Sequence, residues 1–259
     1  MDFRDWVESD VRVTRTMING DPGNLAAPDT VKTASLPAPQ PITVDAQEVA
    51  KGIWWLAGNG NARSVLFEFD DHLTLFETPT SEARSKAVID KARSVVPGKP
   101  LTEVIVSHHH FDHTGGLRTA VAEGLTVVSQ AANEKIFREV TSRKATLKPD
   151  LLTKSGKTLK FRPVDDTLVL KDRSMEVVIY RLLDNTHAPM LLMAYVPRDK
   201  ILVQGDLVDL GWVRNPWADS YQKNLDFRGI QFAKDVPVHG KIATHEEELA
   251  AMAKMEPNK

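Results

Sequence analysis

Cysteine is absent from this chain of 259 residues. That excludes disulfides, thiolate metal ligands and a cysteine nucleophile, so any metal must be held by histidine nitrogen and carboxylate oxygen. An apolar run of the roughly 20 residues that a membrane span requires is also missing. Neither sign of charge dominates: 33 basic residues stand against 35 acidic ones, for a net charge of -2. Such a balance gives no electrostatic footprint for a nucleic-acid partner. The N-terminal MDFRDWVESD has no apolar h-region. No signal peptide is expected there, and the chain reads as cytoplasmic, or as periplasmic if a leader has been trimmed. No internal repeat is found.

What is present suits one sizeable domain with an appendage, since 42% of the residues are hydrophobic. Residues 1–48 read as an N-terminal arm or linker. Val11-Arg-Val-Thr alternates like a short strand and Asn19-Gly-Asp is a turn signal, but Pro22, Pro28, Pro37, Pro39 and Pro41 follow with little apolar periodicity. The arm could cover part of a site or exchange between the subunits of a homodimer. Residues 49–259 read as the catalytic domain.

In that domain, Ile53–Leu56, Ser64–Phe69 and His72–Phe76 are three successive strands. A helix follows over 81–96, with Ser81 as N-cap and Ala87, Val88, Ala92 and Val95 as its apolar stripe. Glu103–Ser107 is a buried strand, 115–123 a helix, Leu125–Val128 a strand and 131–140 a helix. Further strands are expected over 158–164, 167–170, 176–182, 190–196 and 200–203, and a weaker helix over 219–233. Val236-Pro-Val is a short strand ending at His239. Thr244-His-Glu-Glu opens a last helix as a capping box. Strand runs flanked by helices, in two similar halves, imply two sheets packed face to face with helices outside.

The chemistry concentrates in Ser107-His-His-His-Phe-Asp-His-Thr-Gly-Gly116, between an apolar strand and a helix. Side chains two apart on an extended segment point the same way, so His108 and His110 can grip one ion together. Asp112 and His113 can face a second ion. Six residues cannot fill two coordination shells, because a catalytic zinc takes about three protein ligands plus an open position. His187, Asp206 and His239, each following a strand, are the candidates for the remainder. By parity His109 points away from its neighbours; His72 lies in a turn, and His245 in the first turn of a surface helix.

The order HxHxDH, a distant His, Gly-Asp and then His-Gly resembles the metallo-β-lactamase superfamily, from about Gly52 to the C-terminus. The resemblance implies an α/β (α+β) fold, an αββα sandwich of two mixed β-sheets flanked by helices, with the site at one edge of the sheets. It assigns one metal to His108, His110 and His187, the other to Asp112, His113 and His239, and makes Asp206 the bridge. The implied cofactors are two zinc ions, with manganese or iron(II) as alternatives. The family usually places an aspartate after the strand following its first hairpin, where this chain has Glu77. Glu77 is expected to orient a ligand histidine.

Two such ions would share a water, lower its pKa toward neutrality and polarise the bond to be broken. Asp206 would fix their spacing, and Asp112 could accept a proton. The β-lactamase subclasses with a cysteine ligand are excluded by composition, and the remaining subclass does not typically use the bridging aspartate. Twenty residues follow His239, so the helical domain of glyoxalase II-like enzymes is not expected. The stretch from Asp206 to His239 is too short for the cap of nucleic-acid-processing relatives. It contains Trp212, Arg214, Trp217 and Tyr221, which read either as a wall for a small, partly apolar substrate or as loop packing. The expectation is a hydrolase of small carbonyl substrates, β-lactam or lactone. Phosphodiesters and thioesters are the alternatives, and a mono-iron dioxygenase or a non-enzymatic binding module stands further off.

Overall fold

The computed structural model describes residues 41–146 and 149–255. The strand and turn read over Val11–Asp21, and the rest of the arm up to residue 40, lie outside them. The first sheet has seven strands in chain order: β1 (Val44–Ala50), β2 (Ile53–Gly58), β3 (Ser64–Glu68), β4 (Leu73–Phe76), β5 (Leu101–Ile105), β6 (Thr126–Gln130) and β7 (Lys160–Val164). It is antiparallel from β1 to β4 and parallel from β4 to β7. The second sheet has five: β8 (Thr167–Lys171), β9 (Glu176–Arg181), β10 (Leu192–Val196), β11 (Ile201–Val203) and β12 (Lys234–Asp235). All its pairs are antiparallel except β11 with β12.

The period of two along the strands sorts the core into layers. Val65, Phe67, Phe76, Ile105 and Val128 of the first sheet meet Val177, Ile179, Leu192, Ala194 and Val203 of the second. Leu66, Leu75, Val104 and Val127 point the other way. They pack on Val88, Ile89 and Ala92 of α1 (Glu82–Val95) and on Leu117 and Val121 of α3 (Leu117–Glu123). On the far face of the second sheet, Met193 and Leu202 pack on Tyr221 and Leu225 of α6 (Ala218–Arg228). Strands buried on both faces need no alternation of polarity, which is why Val65–Phe67 within β3 is continuously apolar. Each fully buried aliphatic side chain contributes on the order of 2 kcal/mol by leaving water. This is the αββα arrangement of two mixed sheets with outer helices.

Local signals explain the ends of several elements. Ser81 caps α1 by accepting from Arg84 N. The helix expected over 219–233 stops at Arg228, because Gly229 adopts a left-handed φ of 62° and closes it. The segment expected as one helix from 131 is a 3₁₀ turn (Ala131–Asn133) followed by α4 (Glu134–Ser142). A short α5 (Leu151–Ser155), capped by Asp150, was not foreseen. The capping box of α7 (His245–Met252) is formed: Thr244 Oγ1 accepts from Glu247 N at 3.2 Å, and Glu247 Oε2 accepts from Thr244 N at 2.8 Å.

Two expectations are corrected. The boundary expected between residues 48 and 49 falls inside β1, which pairs with β2 from Val44 onward, so the first sheet already includes Val44. Val236–Val238 is an extended continuation of β12 rather than a strand of its own. Val236 N and Val238 N donate to Leu202 O and Gln204 O, while Pro237 between them has no N–H to give.

Candidate metal centre

The candidate ligands come from loops at one edge of the two sheets. β5 runs out through Ser107, whose carbonyl accepts from Leu192 N of the second sheet at 2.9 Å. Ser107 Oγ lies 2.9 Å from His108 Nδ1, which turns Nε2 of that buried ring into the site. His110 follows as the N-cap of α2 (Phe111–Thr114) and presents Nδ1, 2.9 Å from His108 Nε2. Asp112 and His113 lie in the first turn of α2. Gly116, after it, abuts the start of α1: a Cβ there would lie 1.6 Å from Ser85 Oγ.

His187 sits in a loop made rigid by two asparagines. Asn185 Oδ1 accepts from His187 N and Ala188 N at 2.9 and 3.2 Å. Asn224 on α6 accepts from Leu183 N and donates to Leu183 O at 2.8 and 2.9 Å. Asp206 follows β11. Its loop is held by Gln204, whose Oε1 accepts from Leu207 N and whose Nε2 donates to Val208 O. Gly205 allows close passage, since a Cβ there would stand 3.1 Å from Ser107 Oγ and 3.3 Å from His113 Cε1. His239 Nδ1 donates to Asn61 O at 2.9 Å, which leaves Nε2 free to act as a ligand.

These side chains converge into two groups that share one residue. His108, His110, His187 and Asp206 form the first, and Asp112, His113, Asp206 and His239 the second; within each group the candidate ligand atoms lie within 4.8 Å of one another. The Asp206 carboxylate is divided between them. Oδ2 is 2.8 Å from His187 Nε2 and 3.5 Å from His108 Nε2. Oδ1 is 3.1 Å from His239 Nε2 and 3.2 Å from His113 Nε2. In each group two imidazole nitrogens also face each other at 3.3 Å, His187 Nε2 with His108 Nε2 and His239 Nε2 with His113 Nε2. Buried nitrogens and carboxylate oxygens aimed at a common point, with Asp206 Oδ1 lacking a well-formed hydrogen bond, are a donor set that fits a divalent cation in each group.

The two groups differ electrostatically. Burial pushes His108 down to about 3, further than Asp206 can lift it, and burial with neighbouring His187 takes His110 to about 4. Burial also opposes charge on His113 and His239. Glu77 and Asp206 nevertheless raise His113 to about 10, and Asp112 and Asp206 raise His239 to about 9. Asp206 is buried, yet the four imidazoles around it hold it far below the usual carboxylate range. Glu77 is fully buried and its Oε1 stands 3.3 Å from His113 Nδ1, where an orienting carboxylate was expected. His109 is half-buried, with Nδ1 unpaired, and lies outside both groups.

A cavity of about 720 Å³ opens beside the second group, lined by Asp112, Asp206, His239, Asp209, Leu210 and Trp212 together with Arg63 and Lys241. Trp217 stands edge-on to His187, with ring centroids 4.4 Å apart, and packs on Trp212 at 5.3 Å. The expected substrate contact at Tyr221 is corrected. That ring is wholly buried under the second sheet, and its hydroxyl donates to Glu248 Oε2 at 2.9 Å. Arg214 is exposed and is not among the residues lining the cavity. Arg63 and Lys241 were passed over in the sequence. Lys241, two residues after the last ligand candidate, was the available signal.

The family model described as "Metallo-beta-lactamase superfamily" matches residues 57–217. A linear primary-alkylsulfatase of Pseudomonas sp. is 33% identical over 99 residues, covering 38% of this chain and 15% of that protein. The chain thus aligns with a small part of that relative. Among solved structures, the mono-zinc form of the metallo-beta-lactamase FIM-1 from Pseudomonas aeruginosa has a TM-score of 0.64 at 15% identity, covering 83% of this chain and 96% of that one. The inverting sec-alkylsulfatase Pisa1 of Pseudomonas sp. has a TM-score of 0.57 at 19% identity, covering 81% and 40%. At these identities the likeness is one of fold.

Proposed function

This chain belongs to the metallo-β-lactamase superfamily, and on that premise we propose that it is a hydrolase holding two divalent ions, zinc first, and acting on a small carbonyl substrate of the β-lactam or lactone type. The observation that carries the reading is the divided carboxylate of Asp206, one oxygen against each histidine group. Two ions bound there would supply a water of lowered pKa and a Lewis acid for the bond to be broken. The protein's own contribution is geometric. Ser107, Glu77 and Asn61 face the outer nitrogens of His108, His113 and His239, so each ring is aimed before any ion arrives. Asp112 faces the cavity with its side chain one-third exposed, in position to accept a proton. The paired tryptophans supply an apolar wall beside His187.

A second reading, hydrolysis of a sulfate ester, is favoured by the 33% identity to a linear primary-alkylsulfatase. The test is metal analysis of protein purified without chelator, followed by a panel of a β-lactam, an acyl-homoserine lactone, a thioester, a phosphodiester and an alkyl sulfate. The expected result is close to two metals per chain with turnover of the β-lactam or the lactone. Turnover of the alkyl sulfate alone moves the substrate to the second reading. One tightly bound iron and no hydrolysis contradicts both.

A further inference from the structure

The cavity beside the second histidine group carries two cations that the hydrolase reading does not use. Arg63 is the last residue of the β2–β3 connection, and Lys241 follows His239-Gly240. Their loops are stitched together: Arg63 N donates to Val238 O, and His239 Nδ1 donates to Asn61 O, both at 2.9 Å. Both side chains therefore border the cavity on the His239 side. Arg63 has no carboxylate partner among the described residues. Its Nη1 donates to Asn61 O, its Nε is buried without a hydrogen bond, and its guanidinium lies over the Trp55 ring at 5.7 Å from the centroid. Trp55 is itself fixed, with Nε1 donating to Pro237 O at 2.9 Å. The guanidinium is thus held on a rigid support rather than free to follow solvent. Lys241 is exposed and makes no hydrogen bond or ion pair among the described residues. The one opposing charge in the lining outside the ligand groups is Asp209, whose Oδ1 accepts from Gly211 N at 2.8 Å.

We propose that Arg63 and Lys241 form an oxyanion-receiving wall, so that the substrate of this site carries a carboxylate or a sulfate on the His239 side of the cavity. This rests on the hydrolase reading and narrows it, because uncharged lactones and esters would leave both cations unmatched. Two unpaired cations around a concave surface raise the local concentration of an anion, and a charge-assisted bond then fixes its orientation. Leu210 and Trp212 in the same lining give an apolar body somewhere to rest. The substrate is a small amphiphile with its charge at one end.

The test uses the zinc-loaded protein with three probes: a penicillin, its methyl ester and octyl sulfate. The first two share a scissile bond and differ in one charge, and the third carries its charge at the reacting group. The expected result is a kcat/KM for the acid at least tenfold above that of its ester. Lys241→Ala should raise KM for the acid or for octyl sulfate roughly tenfold, with kcat little changed, and leave the ester alone. Arg63→Lys keeps a cation on the turn and should cost less than Arg63→Ala; melting temperatures of both separate a lost contact from a disturbed turn. If no probe is turned over, the β-lactam and sulfate-ester readings fail, and calorimetric binding of the three probes to parent and Lys241→Ala tests the wall alone. The charge preference and its loss should then persist in affinity. Equal effects of Lys241→Ala on acid and ester, or no preference for charge in either readout, overturn the proposal.

Discussion

Glu77 Oε1 lies 3.3 Å from Nδ1 of His113 and at the same time accepts from Ser107 N at 3.1 Å, so one buried carboxylate ties the end of β4 to both halves of the ligand motif. It does so from a left-handed backbone conformation, φ 77°, that a non-glycine residue adopts only when the surroundings impose it. Glu77→Gln keeps an acceptor for Ser107 and removes the charge that holds His113. Affinity for the second ion should fall roughly 10- to 100-fold. The first group loses no contact and should keep its ion. Competition titration with a chromogenic chelator checks this; equal loss at both sites would assign Glu77 to the fold alone.

The opposite electrostatics of the two groups predict how loading depends on pH. An ion must displace protons from His113 and His239, raised to about 10 and about 9, whereas His108 and His110, lowered to about 3 and about 4, are already neutral. Binding of the second ion should therefore strengthen steadily from pH 6 to 9, and more steeply than binding of the first. The sign for the metal-free fold is the reverse. Histidines raised above their unfolded value contribute stability that is full below about pH 6.5 and is lost as the pH rises through about 9 to 10. The metal-free protein should melt progressively lower across that window. Titrations and melts at pH 6, 7, 8 and 9 check both signs, and a uniform pH dependence of the two ions would contradict the assignment.

Tyr221 and Trp212 were expected to share a wall and do not. Tyr221→Phe removes a buried hydroxyl and leaves Glu248 Oε2 without its donor, at a cost of about 1 to 2 kcal/mol, or several degrees in melting temperature. KM should stay as it was. Trp212→Ala opens the cavity and removes the partner of Trp217; it should raise KM for apolar substrates about five- to tenfold with little change in melting temperature. Kinetics and melts of the two variants side by side decide the matter, and a raised KM in Tyr221→Phe would return that residue to the site.

Elements whose chemistry repeats at the period of their backbone were legible in the sequence. β3, β9 and β11 are built around apolar stretches (Val65–Phe67, Val177–Tyr180 and Ile201–Val203), and the capping box at Thr244 is spelled out in four residues. Asp206 and His239 could be found because each closely follows a short apolar stretch, Ile201–Val203 and Val236–Val238, where a lone ligand residue stands out, whereas His187 lies six residues past β9 in a polar loop and was legible only through the joint pattern. β1 was not legible: among Val44–Ala50 only Val44 is buried, so the strand shows no alternation and reads as linker. Helix α5 is five residues long, too short for a periodic signal, although Asp150 and Gly156 mark its ends. Asn185 and Asn224, which fix the His187 loop from two elements, stand 39 positions apart in sequence. Tyr221 was misplaced because an aromatic near a site looks the same in sequence whether it faces the cavity or the core.

The central claim, that Asp206 joins two metal positions, is tested most directly by metal stoichiometry of the parent and of Asp206→Asn, each purified without chelator and titrated with zinc. The variant keeps the shape of the side chain and removes the charge shared by the two groups. The prediction is close to two ions per chain in the parent and close to one in the variant. The remaining ion should be held by His108, His110 and His187, and activity should fall at least tenfold with partial recovery in excess zinc. Equal stoichiometry and equal affinity in the two proteins would contradict the bridging role of Asp206.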